Sequence, residues 1–225
     1  VFQNADTALN PKHSIEDILA RPLRFYHGMK GAKQQRRMAE LLDLVQLPAG
    51  IAQRCPGELS GGQKQRINLA RALAAEPDLI LCDEVTSALD TVVGAAILEL
   101  LRELRRELGV SYLFISHDIS TVRALCDDIV VMYSGHKVEA GSQDSFAEAP
   151  FHPYTDLLIN SVPELRQGWL ESCGANYGAL PAIGAAAVGV KLCPFLNRCP
   201  VRVDGLCNRS MPPRGLVFGG SEVLC

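Results

Sequence analysis

Leu59-Ser60-Gly61-Gly62-Gln63-Lys64-Gln65-Arg66, followed downstream by Leu79-Ile80-Leu81-Cys82-Asp83-Glu84, decides the reading of this chain. Ser60 with Gln63 is a capping-box pattern that starts a helix. Ile67, Ala70, Leu73 and Ala74 give that helix one apolar face, and Pro77 stops it. Gly61 and Gly62 let an anion approach the backbone, where the first N–H groups and the positive end of the helix dipole face it. Residues 79–82 are a continuous apolar run, as expected of a strand buried on both faces. The run ends in Asp83 and Glu84, at the strand edge where open α/β sheets take ligands. Alone, a Ser-Gly-Gly turn is usually only a cap, and two acids closing a strand are usually solvated. Their spacing points to phosphate and magnesium chemistry, with Asp83 on the cation and Glu84 polarising a water.

Outward from this pair, residues 1–13 read as a loop punctuated by Asn10-Pro11. Ser14 caps a short helix to about Arg21, with Glu16 and Asp17 in its first turn. Met38, Leu41, Leu42 and Val45 mark an amphipathic helix over 33–47. Residues 91–108 form a long helical pattern stopped by Gly109, and 110–115 and 129–133 read as further buried strands. Ser134-Gly135 turns the last of these into 137–139 as a tight hairpin. Helices alternating with buried strands predict an α/β domain with a largely parallel sheet. The stretch 163–191, rich in Gly and Ala from 174 onward, reads as a linker.

The 225 residues suffice for one good-sized domain and a small appendage, and an apolar share of 48% provides a core. Twenty-two basic against 25 acidic residues give −3 with no basic stripe, which argues against a nucleic-acid partner. No apolar run approaches the ~20 residues that cross a bilayer, and Val1-Phe2-Gln3-Asn4 does not open a secretory signal. Eight cysteines in a chain of this size do not read as a secreted disulfide framework, and Cys55, Cys82 and Cys126 read as free thiols among apolar neighbours.

Two more segments, Ser87-Ala88-Leu89-Asp90 and Ser116-His117-Asp118, complete a set that resembles the catalytic half of the ATP-binding cassette (ABC) ATPases, a branch of the phosphate-loop NTPases. The resemblance covers roughly residues 1–150. It implies an ABC-type nucleotide-binding domain, a parallel sheet with a helical subdomain, followed over 151–225 by a small cysteine-containing extension. It implies ATP and Mg²⁺ as cofactors, Ser60, Gly61, Gly62 and Gln63 on the nucleotide of an opposed cassette, Asp83 on Mg²⁺ and Glu84 on the attacking water. His117 then contacts the γ-phosphate, Asp90 lies in the segment joining two subunits, and Gln3 belongs to a glutamine loop facing the membrane partner. Val85 departs from the proline that most such cassettes carry after the glutamate, which alters a turn rather than a ligand. The partners implied are a second cassette, membrane permease subunits and, indirectly, a solute-binding protein, with the chain peripheral on the cytoplasmic face of the inner membrane. Soluble ABC ATPases acting on DNA or ribosomes use the same motifs, usually with coiled-coil insertions or basic patches that this sequence lacks. A third reading is a metal-binding regulatory module with a cassette remnant.

No Gly-x-x-x-x-Gly-Lys-[Ser/Thr] loop occurs in these residues, and such a loop carries the β/γ-phosphates and Mg²⁺. The expectation is a fragment truncated upstream of Val1, whose intact form hydrolyses ATP while this piece alone does not. Phe151-His152-Pro153-Tyr154-Thr155 resembles the extension of oligopeptide, dipeptide and nickel transporter ATPases, although as plain chemistry it is a helix start with an aromatic anchor. Cys193, Cys199, Cys207 and Cys225 resemble the cysteine cluster of that subfamily, which in some members holds [4Fe–4S]. Four thiolates suit such a cluster; zinc would also accept them, though its usual Cys-x₂₋₄-Cys pairs are missing, and four metal-free thiols remain a third option. Cys173 precedes the linker and is not counted among the ligands. Whether peptide, nickel or glutathione is carried is not written in this chain.

Overall fold

Helices with buried apolar stripes, three of them capped by Ser14, Ser60 and Asp90, make up much of the first half of the molecule. The computed structural model describes residues 1, 5–162, 180–185, 189–216 and 220–225. It divides into two compact units, Val1–His117 and Asp118–Cys225.

In the first unit α1 (Ala5–Ala8) precedes α2 (Ile15–His27), α3 (Gly31–Leu44) and α4 (Gly61–Leu73). Ser14 Oγ accepts the Asp17 N–H at 3.1 Å and so starts α2. Gly28 ends it in the left-handed region, with its N–H donated to Arg24 and Leu23 carbonyls. The helix runs past the expected end near Arg21 and through Pro22. Its buried stripe Ile15, Ile18, Leu19 and Leu23 continues across the proline, and that burial outweighs the one backbone bond the proline cannot make. α1 was not expected either. It is held from outside, by Lys64 on Asp6 at 2.5 Å and by Arg71 Nη1 donating to Ala8 O at 2.6 Å, a tertiary support no local pattern announces.

β1 (Leu79–Asp83), α5 (Thr91–Leu108) and β2 (Ser111–Ile115) follow as a parallel crossover unit. Asp90 caps α5 through Val93 N–H at 3.0 Å and Gly109 closes it. Leu41 of α3, Ile67 of α4 and Leu100, Leu101 and Leu104 of α5 are fully buried, each contributing roughly 1.5–3 kcal/mol. The strands are not buried on both faces as expected. Leu79 is 53%, Leu81 55%, Leu113 51% and Ile115 49% exposed. Parallel pairing among the described residues is confined to these two strands, and such a short sheet has one covered face only.

The second unit holds α6 (Ile119–Leu125), β3 (Asp128–Tyr133), β4 (His136–Ser142), α7 (Pro153–Asn160), β5 (Arg214–Leu216) and β6 (Glu222–Leu224). The hairpin expected at Ser134-Gly135 forms, with both residues at positive φ, 47° and 76°, the geometry of a two-residue hairpin turn. β3 is not a further parallel strand. It lies in a four-stranded antiparallel sheet of order β3-β4-β6-β5, because the tight hairpin fixes its neighbour as an antiparallel one. Ile129, Val131, Val138 and Phe146 form its core, with Tyr133, Tyr154 and Leu158 packed against them. The expected linker lies largely outside the described residues.

Candidate functional site

Parallel register places the two candidate catalytic side chains at one edge. Asp83 is opposite Ile115, so the residues just beyond each emerge at the same carboxyl end of the sheet. Glu84 leaves β1 in the left-handed region at φ 47°, a conformation that costs a non-glycine residue of order 1 kcal/mol. Three bonds hold it there. Its N–H donates to Ile115 O at 2.9 Å, and its carbonyl accepts Ser87 N–H at 3.1 Å and Ser87 Oγ at 3.0 Å. The turn brings Glu84 Oε1 within 3.2 Å of His117 Nδ1. A carboxylate oxygen accepts, so Nδ1 carries the proton and Nε2 is the ring's remaining nitrogen for a ligand. The His117 side chain is 73% exposed and that of Glu84 28%, so the imidazole is presented outward on a carboxylate that is itself held by the fold.

Asp83 ends β1 on the exposed side, with its N–H donated to Val1 O at 3.1 Å. Its carboxylate fits a hard cation, since Mg²⁺ takes one or two carboxylates and completes its shell with water and phosphate oxygens.

Ser60 and Gln63 form the expected reciprocal box. Gln63 N–H donates to Ser60 Oγ at 3.3 Å and Ser60 N–H to Gln63 Oε1 at 3.0 Å. Both side chains are thereby spent on capping, which leaves the first-turn amides of Gly61 and Gly62 as the donors an anion would meet. Gly62 has a second reason to lack a side chain. A Cβ there would stand 2.6 Å from Val93 Cγ1, and one on Gly61 3.5 Å from Leu89 Cδ2. The segment Leu89–Val93 thus seats the start of α4, and Asp90 acts in this chain as the cap of α5. Gln3 lies outside the described residues, as does Cys173.

In the second unit, burial pushes the thiols of Cys193, Cys199 and Cys225 up, and neighbouring thiolates raise them further. Cys207 acts on all three, Cys193 on Cys199 and Cys225, and Cys225 on Cys199. The four belong to one electrostatic neighbourhood. They are not arranged as ligands, however: among the described residues no group of three or more His, Cys, Asp or Glu side chains could hold a metal ion. Burial favours the protonated thiol, which is not the ligating form.

The sequence reading missed Glu139, fully buried in β4, and its partners. Glu139 Oε2 accepts the His152 N–H at 2.9 Å and Oε1 accepts Ser221 Oγ at 3.0 Å. His152 in turn caps α7, its Nδ1 accepting Tyr154 N–H at 3.1 Å, and burial lowers its pKa to about 4. Phe195, between Cys193 and Cys199, packs on Tyr133, Tyr154 and His152 at ring distances of 5.2, 5.5 and 6.0 Å. The apolar pair Phe195-Leu196 inside a cysteine-flanked loop was the one available signal; nothing local marks Glu139.

Residues 1–87 match the family model described as ABC transporter, and 138–207 match the oligopeptide/dipeptide transporter C-terminal region. A peptide import ATP-binding protein of Brucella abortus is 41% identical across the whole chain, which spans 65% of that relative. The oligopeptide transport ATP-binding protein OppF of Escherichia coli is 40% identical over 89% of the chain, which spans 60% of it. A peptide ABC transporter ATP-binding protein of Sinorhizobium fredii is 34% identical over the whole chain and 67% of its own length. The chain therefore spans less than two-thirds of the first two relatives. Among solved structures, the ATP-binding cassette MJ0796, a dimer in a post-hydrolysis state with ADP and phosphate, superposes with a TM-score of 0.56 at 35% identity, over 64% of this chain and 61% of that one. No helix among the described residues is long and apolar enough to cross a membrane. The chain belongs to the ATP-binding proteins of the ABC transporter family, and it carries the C-terminal region of their oligopeptide/dipeptide branch.

Proposed function

We propose that the whole protein of which these residues form part hydrolyses ATP to energise import of peptides or related solutes. The observation that carries this reading is the Glu84–His117 contact at the carboxyl edge of a parallel strand pair. Phosphoryl transfer to water demands little covalent work from a protein and much positioning. Glu84, fixed by its turn, orients and polarises the attacking water. His117, oriented by Glu84, presents Nε2 to the γ-phosphate. Asp83 would hold Mg²⁺, which supplies charge neutralisation at the phosphates. Ser60, Gly61, Gly62 and Gln63 would offer first-turn amides to the nucleotide of an opposed cassette, with Asp90 in the joining segment and Gln3 toward the permease. The phosphate loop of such a site is not among these residues.

The same proposal takes a second cassette and membrane permease subunits as partners, with a solute-binding protein delivering cargo, at the cytoplasmic face of the inner membrane. It divides the chain into a cassette segment over 1–150 and an extension over 151–225. It also reads Cys193, Cys199, Cys207 and Cys225 as the ligands of a [4Fe–4S] cluster. Cys207 acts electrostatically on each of the other three thiols, which supports this, and deprotonation on metal binding would supply the ligating form. Iron and sulfide analysis after anaerobic reconstitution tests the cluster: about four irons per chain is expected, and zinc or colourless protein contradicts it.

For the activity, the full-length protein with its permease is reconstituted in vesicles and ATP turnover measured with and without peptide. His117→Ala should lower kcat by about 10²-fold or more. Wild-type turnover in that variant would remove the contact from the mechanism.

A further inference from the structure

The turn from α2 into α3 carries a charge excess that the balance of the whole chain conceals. Residues 18–39 hold Arg21, Arg24, Lys30, Lys33, Arg36 and Arg37 and no Asp or Glu, in a chain whose net charge is −3. Arg36 pairs with Glu40 at 3.3 Å, and Arg37 with Glu40 and Glu76 at 3.0 and 3.2 Å. Among the described residues no carboxylate pairs with the side chains of Arg21, Arg24, Lys30 or Lys33, and all four are exposed. Leu23 is the last core residue of α2. Beyond it Phe25 is 80% and Tyr26 61% exposed, their rings edge to face with centroids 4.9 Å apart. Gly28 and Gly31, at φ 62° and 57°, then turn the chain into α3. Gln34 Nε2 ties that helix back to α2, donating to Ala20 O at 3.0 Å and Met29 O at 3.3 Å. Arg21, Arg24 and Phe25 also line an open cleft with His13 and Asp17. The acid there, Asp17, accepts the Ser14 hydroxyl at 2.9 Å. A single exposed apolar side chain needs no explanation; two adjacent exposed rings among four unpaired cations do.

We propose that this turn is a membrane-surface contact: Phe25 and Tyr26 enter the headgroup layer of an anionic bilayer while Arg21, Arg24, Lys30 and Lys33 bind its phosphates. Aromatic rings settle at the level of the headgroups, and each Lys or Arg near an anionic surface strengthens binding by about fivefold. The four cations sit on α2, at the turn and at the start of α3, not around one acceptor, which suits a plane of many headgroups. A nucleic acid or an acidic protein would answer the charges alone; the exposed ring pair beside them favours lipid. The hold is peripheral, since no helix among the described residues is long and apolar enough to cross a membrane. Salt screens its ionic part over a Debye length of ~10 Å at 0.1 M, and leaves the apolar part of the rings in place.

The test is co-sedimentation of the full-length protein, without permease, with vesicles of phosphatidylcholine alone or with about 30% phosphatidylglycerol. Binding to the anionic vesicles should exceed that to the neutral ones by about tenfold or more, and fall as salt rises from ~50 mM to ~500 mM. Arg21→Gln together with Arg24→Gln should weaken it by about tenfold or more. Phe25→Ser should weaken it by about threefold or more, with a salt dependence as steep as the wild type's. Arg102→Gln together with Arg106→Gln removes the same charge from α5 and should change binding by less than about twofold. Equal binding to both kinds of vesicle, or an equal loss in the α5 variant, overturns the proposal. So does a protein that ignores vesicles but binds duplex DNA, or whose Arg21 and Arg24 variant loses only its permease, since the turn would then serve another macromolecule. ATP turnover is no part of the readout, so the hydrolysis reading and this one fail separately.

Discussion

His152 is buried with one ring nitrogen committed to a backbone donor, so protonating it in place is costly and its pKa falls to about 4. The unfolded chain binds that proton near the ordinary value of about 6.5. Both states are neutral at pH 7, and between about 6.5 and 4 only the unfolded state gains the proton. Stability is therefore lost as pH falls through that window, by about 2 kcal/mol between pH 7 and 5. His152→Asn keeps the capping acceptor without the titration. Urea unfolding of both proteins at the two pH values should show the wild type losing about 2 kcal/mol more than the variant; equal losses would rule out His152 as the source. At this scale the sequence named Ser60, Gln63, Asp83, Glu84 and His117 as candidate positions. It could not show that Glu84 and His117 touch, since their contact depends on the register of two strands. Nor could it show Glu139, whose partners lie 13 and 82 residues away.

The start of α4 serves packing as well as phosphate approach. A methyl group on Gly62 would meet Val93, which is β-branched and on a helix and therefore slow to yield. Gly62→Ala should cost about 1–3 kcal/mol by overpacking, measured by thermal unfolding, and Val93→Ala should recover much of that loss in the double variant. No recovery would leave the close approach without energetic weight. Helices were legible here because caps and stripes are local: α3, α4 and α5 follow from Met38 to Leu42, from Ser60 and from Asp90 to Gly109. α2 ran past Pro22 because burial of Leu23 decided its length. Apolar runs announced strands but not which sheet they enter; residues 79–83 and 128–133 look alike in sequence and pair in opposite senses.

For the molecule as a whole, the open apolar face of β1 and β2, with Leu79, Leu81, Leu113 and Ile115 about half exposed, is unlike parallel sheets of complete domains, which are covered on both sides. The relatives are longer than this chain, and we propose that in the whole protein further chain packs on that face and supplies the phosphate loop. The family was legible because its motifs are short and local, whereas the pairing of β6 with β4 depends on a three-residue strand no pattern marks. The central claim is that Glu84 acts on water in a site closed by the Ser60–Gln63 segment of a second cassette. Glu84→Gln in the full-length protein, followed by sedimentation and nucleotide counting after incubation with Mg-ATP, tests it most directly. The account predicts a dimer retaining two unhydrolysed ATP, with turnover lowered by about 10²-fold or more; a variant that stays monomeric with ATP and turns it over at the wild-type rate would contradict it.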